Sequence, residues 1–314
     1  MGVDEMSQTN PALRVQQISK TFATVRAVDK LSFEVNSGEI FGLLGPNGAG
    51  KTTAIRMILD IIRPDDGQID ILGGPMDESK KDRIGYLPEE RGLYEDMTLI
   101  DTLVFLAQLK GLKYQQAHKR SESALQEMDL WEARDRKISG LSRGMNQKAQ
   151  FIAATLHEPE LIIIDEPFSG LDPVNTRVIK SQIYRMRNRG TAVIMSTHQM
   201  NQVEEMCERI LLIDHGKQIL YGPLADIRRQ FAPNAVEVAL EGELTQIHGV
   251  DSIQKSDGKY RLVLDEGARP EEVLKELVNE PRLTVQHFEQ VETSLEEIFV
   301  RVVGHAVNEE ATPE

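Results

Sequence analysis

The spacing of apolar positions changes along the chain, and each spacing names a different kind of element. Leu13, Val15 and Ile18 recur at strand-like intervals, and Leu31, Phe33 and Val35 alternate with Ser32 and Glu34, which predicts two half-buried strands near the start. Asn36-Ser37-Gly38 then turns the chain into Ile40-Phe41-Gly42-Leu43-Leu44, an uninterrupted apolar run of the kind that forms a strand buried on both faces. Ile55, Ile58 and Leu59 follow at helical spacing, Arg63-Pro64-Asp65-Asp66-Gly67 breaks the chain, and residues 68–72 read as a short strand. Residues 93–135 change character: Leu99, Leu103, Leu106 and Leu109, then Ala124, Leu125, Met128 and Leu130, predict a mostly helical insertion. Buried-strand runs return at residues 161–164, 192–195 and 210–213. The expectation is an α/β core, a largely parallel sheet covered by helices.

After Tyr221-Gly222-Pro223 the pattern turns over once more. Val236, Val238 and Leu240 alternate as a strand, Ser256-Asp257-Gly258 makes a hairpin turn before a strand at 260–264, and Pro270-Glu271-Glu272 opens a helix ending near Glu280. Residues 283–291 read as another strand, and Thr293-Ser294-Leu295-Glu296 caps a last amphipathic helix carrying Leu295, Ile298, Phe299 and Val302. Residues 223–304 are thus expected to form a small α+β accessory domain. The polar segment 1–11 and the acidic segment 305–314, its acidic run starting at Asn308, are expected to be disordered tails.

Composition narrows what such a chain serves. A net charge of −14 gives no electrostatic basis for holding nucleic acid, where neutralising phosphates with Lys and Arg supplies most of the affinity. Cys207 is the single cysteine, so no internal disulfide forms, and a reducing compartment with Cys207 as a small buried apolar residue is the simplest setting. No run of about 18 apolar residues occurs, the first residues do not resemble a signal peptide, and Met6 stands where a myristoylation signal wants Ser or Thr.

The strongest chemical signal lies at residues 45–53, Gly45-Pro46-Asn47-Gly48-Ala49-Gly50-Lys51-Thr52-Thr53, which satisfies G-x-x-x-x-G-K-[ST] between a strand and a helix. Gly45, Gly48 and Gly50 let backbone N–H groups converge on an anion, and the following helix points the positive end of its dipole at the same place. Lys51 supplies a charge for β/γ phosphates, and the Thr52 hydroxyl is the expected Mg²⁺ ligand. A second signal ends the buried run at 161–164 with Asp165-Glu166. Beside a phosphate loop, Asp165 reads as the second metal contact and Glu166 as the general base on the attacking water; alone, the pair also reads as solvated strand-end residues. His198, after Ser196-Thr197, is the one among seven histidines that follows an apolar strand in this way, a candidate γ-phosphate sensor or a structural histidine. His248 and His287 read as structural or exposed.

Residues 45–53, Leu141-Ser142-Arg143-Gly144-Met145-Asn146-Gln147, residues 161–166, Ser169-Gly170-Leu171-Asp172 and His198 occur in the order and spacing of an ABC transporter ATP-binding subunit, which residues 12–222 resemble. The resemblance implies a P-loop ATPase with a mostly parallel core sheet, an antiparallel N-terminal subdomain and a helical subdomain at about 93–150. It implies Phe22 as the aromatic stacking on adenine, Ser142 and Gly144 as the signature loop closing on the γ-phosphate of a second ATP-binding subunit, and Asp172 as the D-loop residue. Phe22 also reads as an ordinary strand-end aromatic. Two positions depart from the pattern. Arg143 and Met145 replace the first Gly and the Gln of the usual Leu-Ser-Gly-Gly-Gln. Glu89, in Pro88-Glu89-Glu90-Arg91-Gly92, stands where a Gln is usual, so it is a candidate Mg²⁺ ligand, unless it faces solvent while Glu90 serves. With the C-terminal extension, these features are similar to the subgroup that pairs with export-type permeases, including sodium-efflux-like systems.

The implied protein is an ATPase using ATP and Mg²⁺ as a dimer, because one chain carries one phosphate loop and one signature far apart. Its expected partners are ABC-2-like membrane permease subunits and a second copy of itself, with no nucleic acid, at the cytoplasmic face of the membrane. Leu93, Tyr94 and Met97 open the helical insertion and are expected to line a groove for a permease helix. The competing reading, a soluble ABC-type ATPase acting on ribosomes or DNA, lacks the second cassette or coiled coils usual there. A non-hydrolysing regulator is disfavoured by Glu166.

Overall fold

The structure is a computed structural model describing residues 11–309 except 90, 91, 243, 245, 246, 257 and 266. The chain divides into two compact units at Pro223/Leu224. In the first unit, strands β1 (Leu13–Phe22) and β2 (Val25–Val35) pair antiparallel, and β3 (Ile40–Leu44) leads into helix α1 (Lys51–Ile58). Strand β4 (Asp66–Ile71) returns to β1, completing an antiparallel sheet of order β2-β1-β4. The short helix α2 (Glu78–Lys81) precedes β5 (Ile84–Leu87). Then come helices α3 (Leu99–Leu109), α4 (Tyr114–Glu127) and α5 (Arg143–Thr155), with 3-10 turns at Trp131–Ala133 and Ile138–Gly140. The remaining elements are β6 (Leu161–Asp165), α6 (Pro173–Asn188), β7 (Ala192–Thr197), α7 (Met200–Met206), β8 (Arg209–Asp214) and β9 (Lys217–Pro223).

The second sheet, of order β5-β6-β7-β3-β8-β9, is parallel except for β9, which runs antiparallel to β8. β3, β6 and β7 are buried at every position, which is why their sequences show no polar alternation. One apolar cluster joins both sheets to α1, drawing Leu13, Leu31 and Phe33 from the antiparallel sheet, Ile55 and Ile58 from α1, and Leu43, Ile163 and Ile194 from the parallel sheet. The Phe33 and Phe41 rings stack across it at 5.5 Å. This packing fixes the start of α1 at the carboxyl end of β3. β6 and β7 end on the same edge, since Leu44 pairs with Thr197 and Asp165 with Ser196 in parallel register.

Strand β5 was not among the strands expected from the hydrophobic pattern. The strand is only four residues long and contains Gly85, at which a Cβ would lie 2.6 Å from the carbonyl oxygen of Ala154. Close packing against α5 demands a glycine, and the glycine erases the strand signature. β9 and the helix after it were also missed.

The second unit begins with helix α8 (Leu224–Phe231). Strands β10 (Ala235–Glu241), β11 (Val250–Ser256) and β12 (Lys259–Leu264) follow, then helix α9 (Pro270–Asn279), β13 (Thr284–Gln290) and α10 (Leu295–Glu309). The strands form an antiparallel sheet of order β11-β12-β10-β13. Val236, Val238, Tyr260 and Leu262 share a core with Val273 and Leu277 of α9. The β11–β12 pairing spans the expected hairpin, although Asp257 at its turn lies outside the described residues. Buried Thr293 donates to the carbonyl oxygen of Phe231 at 2.9 Å, and Arg228 pairs with Glu292, so α8 and the start of α10 are tied together. α10 runs to Glu309, which corrects the expectation of a tail beginning at 305. Val302, Val303, Ala306 and Val307 carry the apolar spacing past that point. Residues 1–10 and 310–314, the rest of the expected tails, lie outside the described residues.

Candidate active site

At the carboxyl end of β3 the chain bends through three glycines with positive φ: Gly45 at 150°, Gly48 at 81° and Gly50 at 107°. Two of them are required by close approach. A Cβ on Gly45 would lie 2.2 Å from the carbonyl oxygen of Ile213, and one on Gly50 would lie 2.4 Å from that of Ala27. Gly48 meets nothing within 4 Å, so the middle of the loop, with Pro46 and Asn47 before it and Ala49 after it, presents bare backbone to open space. The Lys51 ammonium folds back to donate to the carbonyl oxygens of Gly45 at 2.7 Å and Pro46 at 3.0 Å. Thr52 is exposed and Thr53 half-buried on the first turn of α1. A helix start, a bare backbone loop and a cation meet here, a fit for phosphate.

Three carboxylates act on that cation. Burial pushes the Lys51 amine below its ordinary range, while Glu166, Asp165 and Glu89 push it back up. Asp165, 5% exposed at the end of β6, is pushed above the usual carboxylate range by burial first and then by the negative charges of Glu89 and Glu166. A buried carboxylate raised by neighbouring negative charge is one that a divalent cation would relieve, so Asp165 and the Thr52 hydroxyl make a donor pair that fits Mg²⁺. Exposed Glu89 is close enough to influence both Lys51 and Asp165. Glu90 lies outside the described residues.

Glu166 is held more firmly. Its backbone adopts φ 50°, a left-handed conformation that costs a non-glycine residue about 1–2 kcal/mol. Its N–H donates to the Ser196 carbonyl oxygen at 2.8 Å. The 7%-exposed carboxylate accepts from the Thr197 hydroxyl at 3.0 Å and from the His198 backbone N–H at 3.0 Å, and meets His198 Nδ1 at 2.6 Å. An ionised carboxylate only accepts, so Nδ1 carries the proton in this contact. His198 therefore sits on the Glu166 carboxylate with its ring largely exposed. Thr197 is a site residue that sequence reasoning missed; its one signal was its place directly before His198 at a strand end.

The signature residues begin α5. Ser142 is its N-cap, accepting from the Met145 N–H at 3.3 Å, and Gly144 lies on the first turn. Asp172 caps α6: one oxygen accepts the N–H groups of Val174 and Asn175 at 2.9 Å each, and the other accepts from the Asn175 side chain. Those bonds hold its carboxyl below the ordinary range. Phe22 ends β1 with 47% of its surface exposed, beside Val25 at 66%. An apolar tip left in solvent at the β1–β2 turn suits a stacked base. Among the described residues, no side-chain hydrogen bond joins Ser142, Gly144, Asp172 or Phe22 to Lys51 or Glu166.

Residues 28–169 match the family described as ABC transporter, and residues 222–303 match the C-terminal domain of DrrA1-3-like ATP-binding proteins. The chain is 38% identical to the ABC transporter ATP-binding protein YhaQ of Bacillus subtilis, over 93% of this chain and 98% of YhaQ. It is 28% identical to the daunorubicin/doxorubicin resistance ATP-binding protein DrrA of Streptomyces peucetius, over 98% and 97% respectively. A solved ATP-binding subunit of an ABC transporter superposes with a TM-score of 0.66 at 33% identity, covering 70% of this chain and 93% of that one. The chain belongs to the ABC transporter ATP-binding family. It is an ATPase with a P-loop fold and a DrrA-like C-terminal domain, and its relatives include ATP-binding proteins named for drug resistance and Nod factor export. The soluble ribosome- or DNA-acting alternative is not favoured.

Among the described residues, no helix of this ABC subunit is long and apolar enough to cross a membrane. Between β5 and the helical insertion lies a groove of about 650 Å³, lined by Tyr86, Leu87, Leu93, Leu106, Leu109 and His157 among others. Tyr94, 51% exposed, packs edge-on to Phe105 at 5.6 Å beside it. Met97 is half-buried, and its backbone bonds Tyr94 and Ile138.

Proposed function

We propose that the chain binds Mg-ATP on residues 45–53, with Phe22 against the base, Lys51 on the β/γ phosphates, and Thr52 and Asp165 on the metal. The metal, when bound, neutralises charge on the β/γ oxygens. Glu166 takes the proton of the attacking water, and His198 and Thr197 hold its carboxylate in place. The reading rests on one observation above the rest: Glu166, in a costly backbone conformation, is fixed by Thr197 and His198 while its charge acts on Lys51. Glu89 is a further candidate for the metal, supported by the reach of its charge to Asp165, although no three metal-ligating side chains among the described residues are grouped closely enough to hold an ion by themselves. Ser142 and Gly144, with the backbone around Asp172, close on the nucleotide of a second copy, so the working unit is a homodimer.

The partner is an ABC-2-like permease whose cytoplasmic helix lies in the groove beside Leu93 and Tyr94, which places the subunit peripherally on the cytoplasmic face of the membrane. Relatives named for daunorubicin/doxorubicin resistance and Nod factor export support an export direction. Residues 224–304 modulate dimer lifetime or permease pairing. Nucleotide binding and turnover by two variants of the full chain test the core of this reading. Lys51→Ala loses ATP binding, whereas Glu166→Gln binds ATP and accumulates as an ATP-loaded dimer. Wild-type turnover by Glu166→Gln removes Glu166 as the base.

A further inference from the structure

Arg143 stands where the family pattern has glycine, and it is the first residue of α5. Its guanidinium lies over Gly170: a Cβ built on Gly170 would fall 2.3 Å from Arg143 Cζ and 2.5 Å from both Nε and Nη2. Gly170 has φ 69°, a left-handed conformation. The loop thus bends as glycine bends most easily, and an arginine fills the space the missing side chain leaves. No carboxylate pairs with Arg143 among the described residues; the planar cation is applied to backbone, a contact for which a guanidinium is better shaped than an ammonium.

The same helix holds this loop at one more point and packs closely beside it at another. Gln147, 3% exposed, donates to the carbonyl oxygen of Pro167 at 3.1 Å. A Cβ on Gly144 would lie 3.3 Å from the Asn175 side chain and 3.8 Å from that of Leu171. The loop is also braced internally, through Ser169 N–H to the Glu166 carbonyl oxygen at 3.3 Å and Leu171 N–H to that of Phe168 at 3.2 Å. Asp172 closes it as the cap of α6. Glu166 therefore sits at one end of a short braced strap, and the helix turn bearing Ser142 lies along it.

We propose that Arg143 is a positioning residue that locks residues 167–172 to the first turn of α5, so that Glu166 and the Ser142–Gly144 turn of one chain move as a single piece. This rests on the two-chain site above, in which Glu166 serves its own chain's nucleotide and Ser142 the partner's. A single piece touching both nucleotides makes each site report its state to the other. Glycine at 143 would leave the Gln147 hydrogen bond to Pro167 as the remaining side-chain tie from α5 to the strap among the described residues.

The test uses the full chain with ATP turnover measured against ATP concentration, and ATP affinity measured without metal so that hydrolysis does not interfere. Arg143→Gly and Arg143→Met lower kcat about tenfold, the scale of a small misplacement of a catalytic group. They also bring the Hill coefficient from above one to one, with metal-free affinity and melting temperature unchanged. Gly170→Ala, whose methyl displaces the guanidinium, gives the same loss alone and no further loss combined with Arg143→Gly, a non-additive pair. Wild-type kcat and Hill coefficient in both Arg143 variants, or losses that simply add in the double variant, overturn the proposal. Wild-type turnover by Lys51→Ala overturns the nucleotide-site reading instead, so the two failures are distinguishable.

Discussion

The loop after β3 and the loop after β6 leave the same edge of one sheet and hold their charged groups in opposite ways. In the first, Lys51 is satisfied by carbonyl oxygens five and six residues away. The shape comes from glycines that bend where side chains would collide. In the second, Glu166 is held by a hydroxyl and an imidazole 31 and 32 residues further along the chain, and the strap behind it is held by Arg143 from another helix. A backbone cradle can be written in nine consecutive residues. A fixed carboxylate cannot, because one side chain has to be triangulated from elements the fold brings in from elsewhere.

The largest effects come from the cradle, where the three glycines separate by what surrounds them. Gly45→Ala places a methyl 2.2 Å from a backbone carbonyl at φ 150°, and backbone has no rotamer with which to escape. The expected cost is about 3 kcal/mol or more, from overpacking and strain together, seen as a large fall in melting temperature. Gly48→Ala meets nothing within 4 Å at φ 81°, so only the left-handed penalty of about 1–2 kcal/mol applies. It folds, but its methyl stands where phosphate oxygens approach and ATP affinity drops. Equal melting temperatures for the two variants would erase the distinction between packed and open positions in the loop.

That distinction tracks what was legible in the sequence. The phosphate loop, the buried strands and the Asp165-Glu166 pair were readable because each is short in sequence and has a fixed period or motif. Thr197 was not assigned a role, since nothing in Ser-Thr-His says which side chain faces a carboxylate on the neighbouring strand; only the parallel register of β6 on β7 does. Arg143 was visible only as a departure, and its partner Gly170 read as part of a motif. β5 was lost because the glycine that lets it pack on α5 also breaks its pattern. The last helix overran its expected end because the acidic residues there were read as solvated tail, although apolar spacing continued among them.

Thr197→Val gives a moderate effect on the second loop. Thr197 is 1% exposed and donates to Glu166 Oε2 while accepting from the Gln199 N–H. Valine keeps the volume and removes both bonds, and one lost bond to a charged group is worth about 1.5–3 kcal/mol before His198 compensates. With both His198 bonds to Oε1 left in place, kcat falls roughly three- to tenfold and KM stays constant, because the phosphate cradle is untouched. A changed KM with constant kcat would place Thr197 in nucleotide binding, and Glu166 would then be fixed by His198 alone.

The smallest effect extends the comparison to β5, the strand leading towards Glu89, which is held from 73 residues away by His157. The His157 Nε2 lies 3.1 Å from the Ile84 carbonyl oxygen at the start of β5, and the neutral ring donates there while its Nδ1 is buried without a partner. Burial first, and then the nearby Lys110 charge, lower its pKa from 6.5 to about 4. The unfolded chain therefore takes up a proton near pH 6.5 that the folded chain refuses until about pH 4. Stability is full above the upper value and is lost progressively as pH falls through that window. Between pH 7 and 5.5 the loss from this one group is about 1 kcal/mol, measurable as a shift of the urea midpoint. His157→Gln, which still donates to Ile84 but does not titrate, removes that part of the acid sensitivity while lowering stability at pH 7 only slightly. Parallel pH curves for the two proteins would mean that β5 is not held by a neutral histidine.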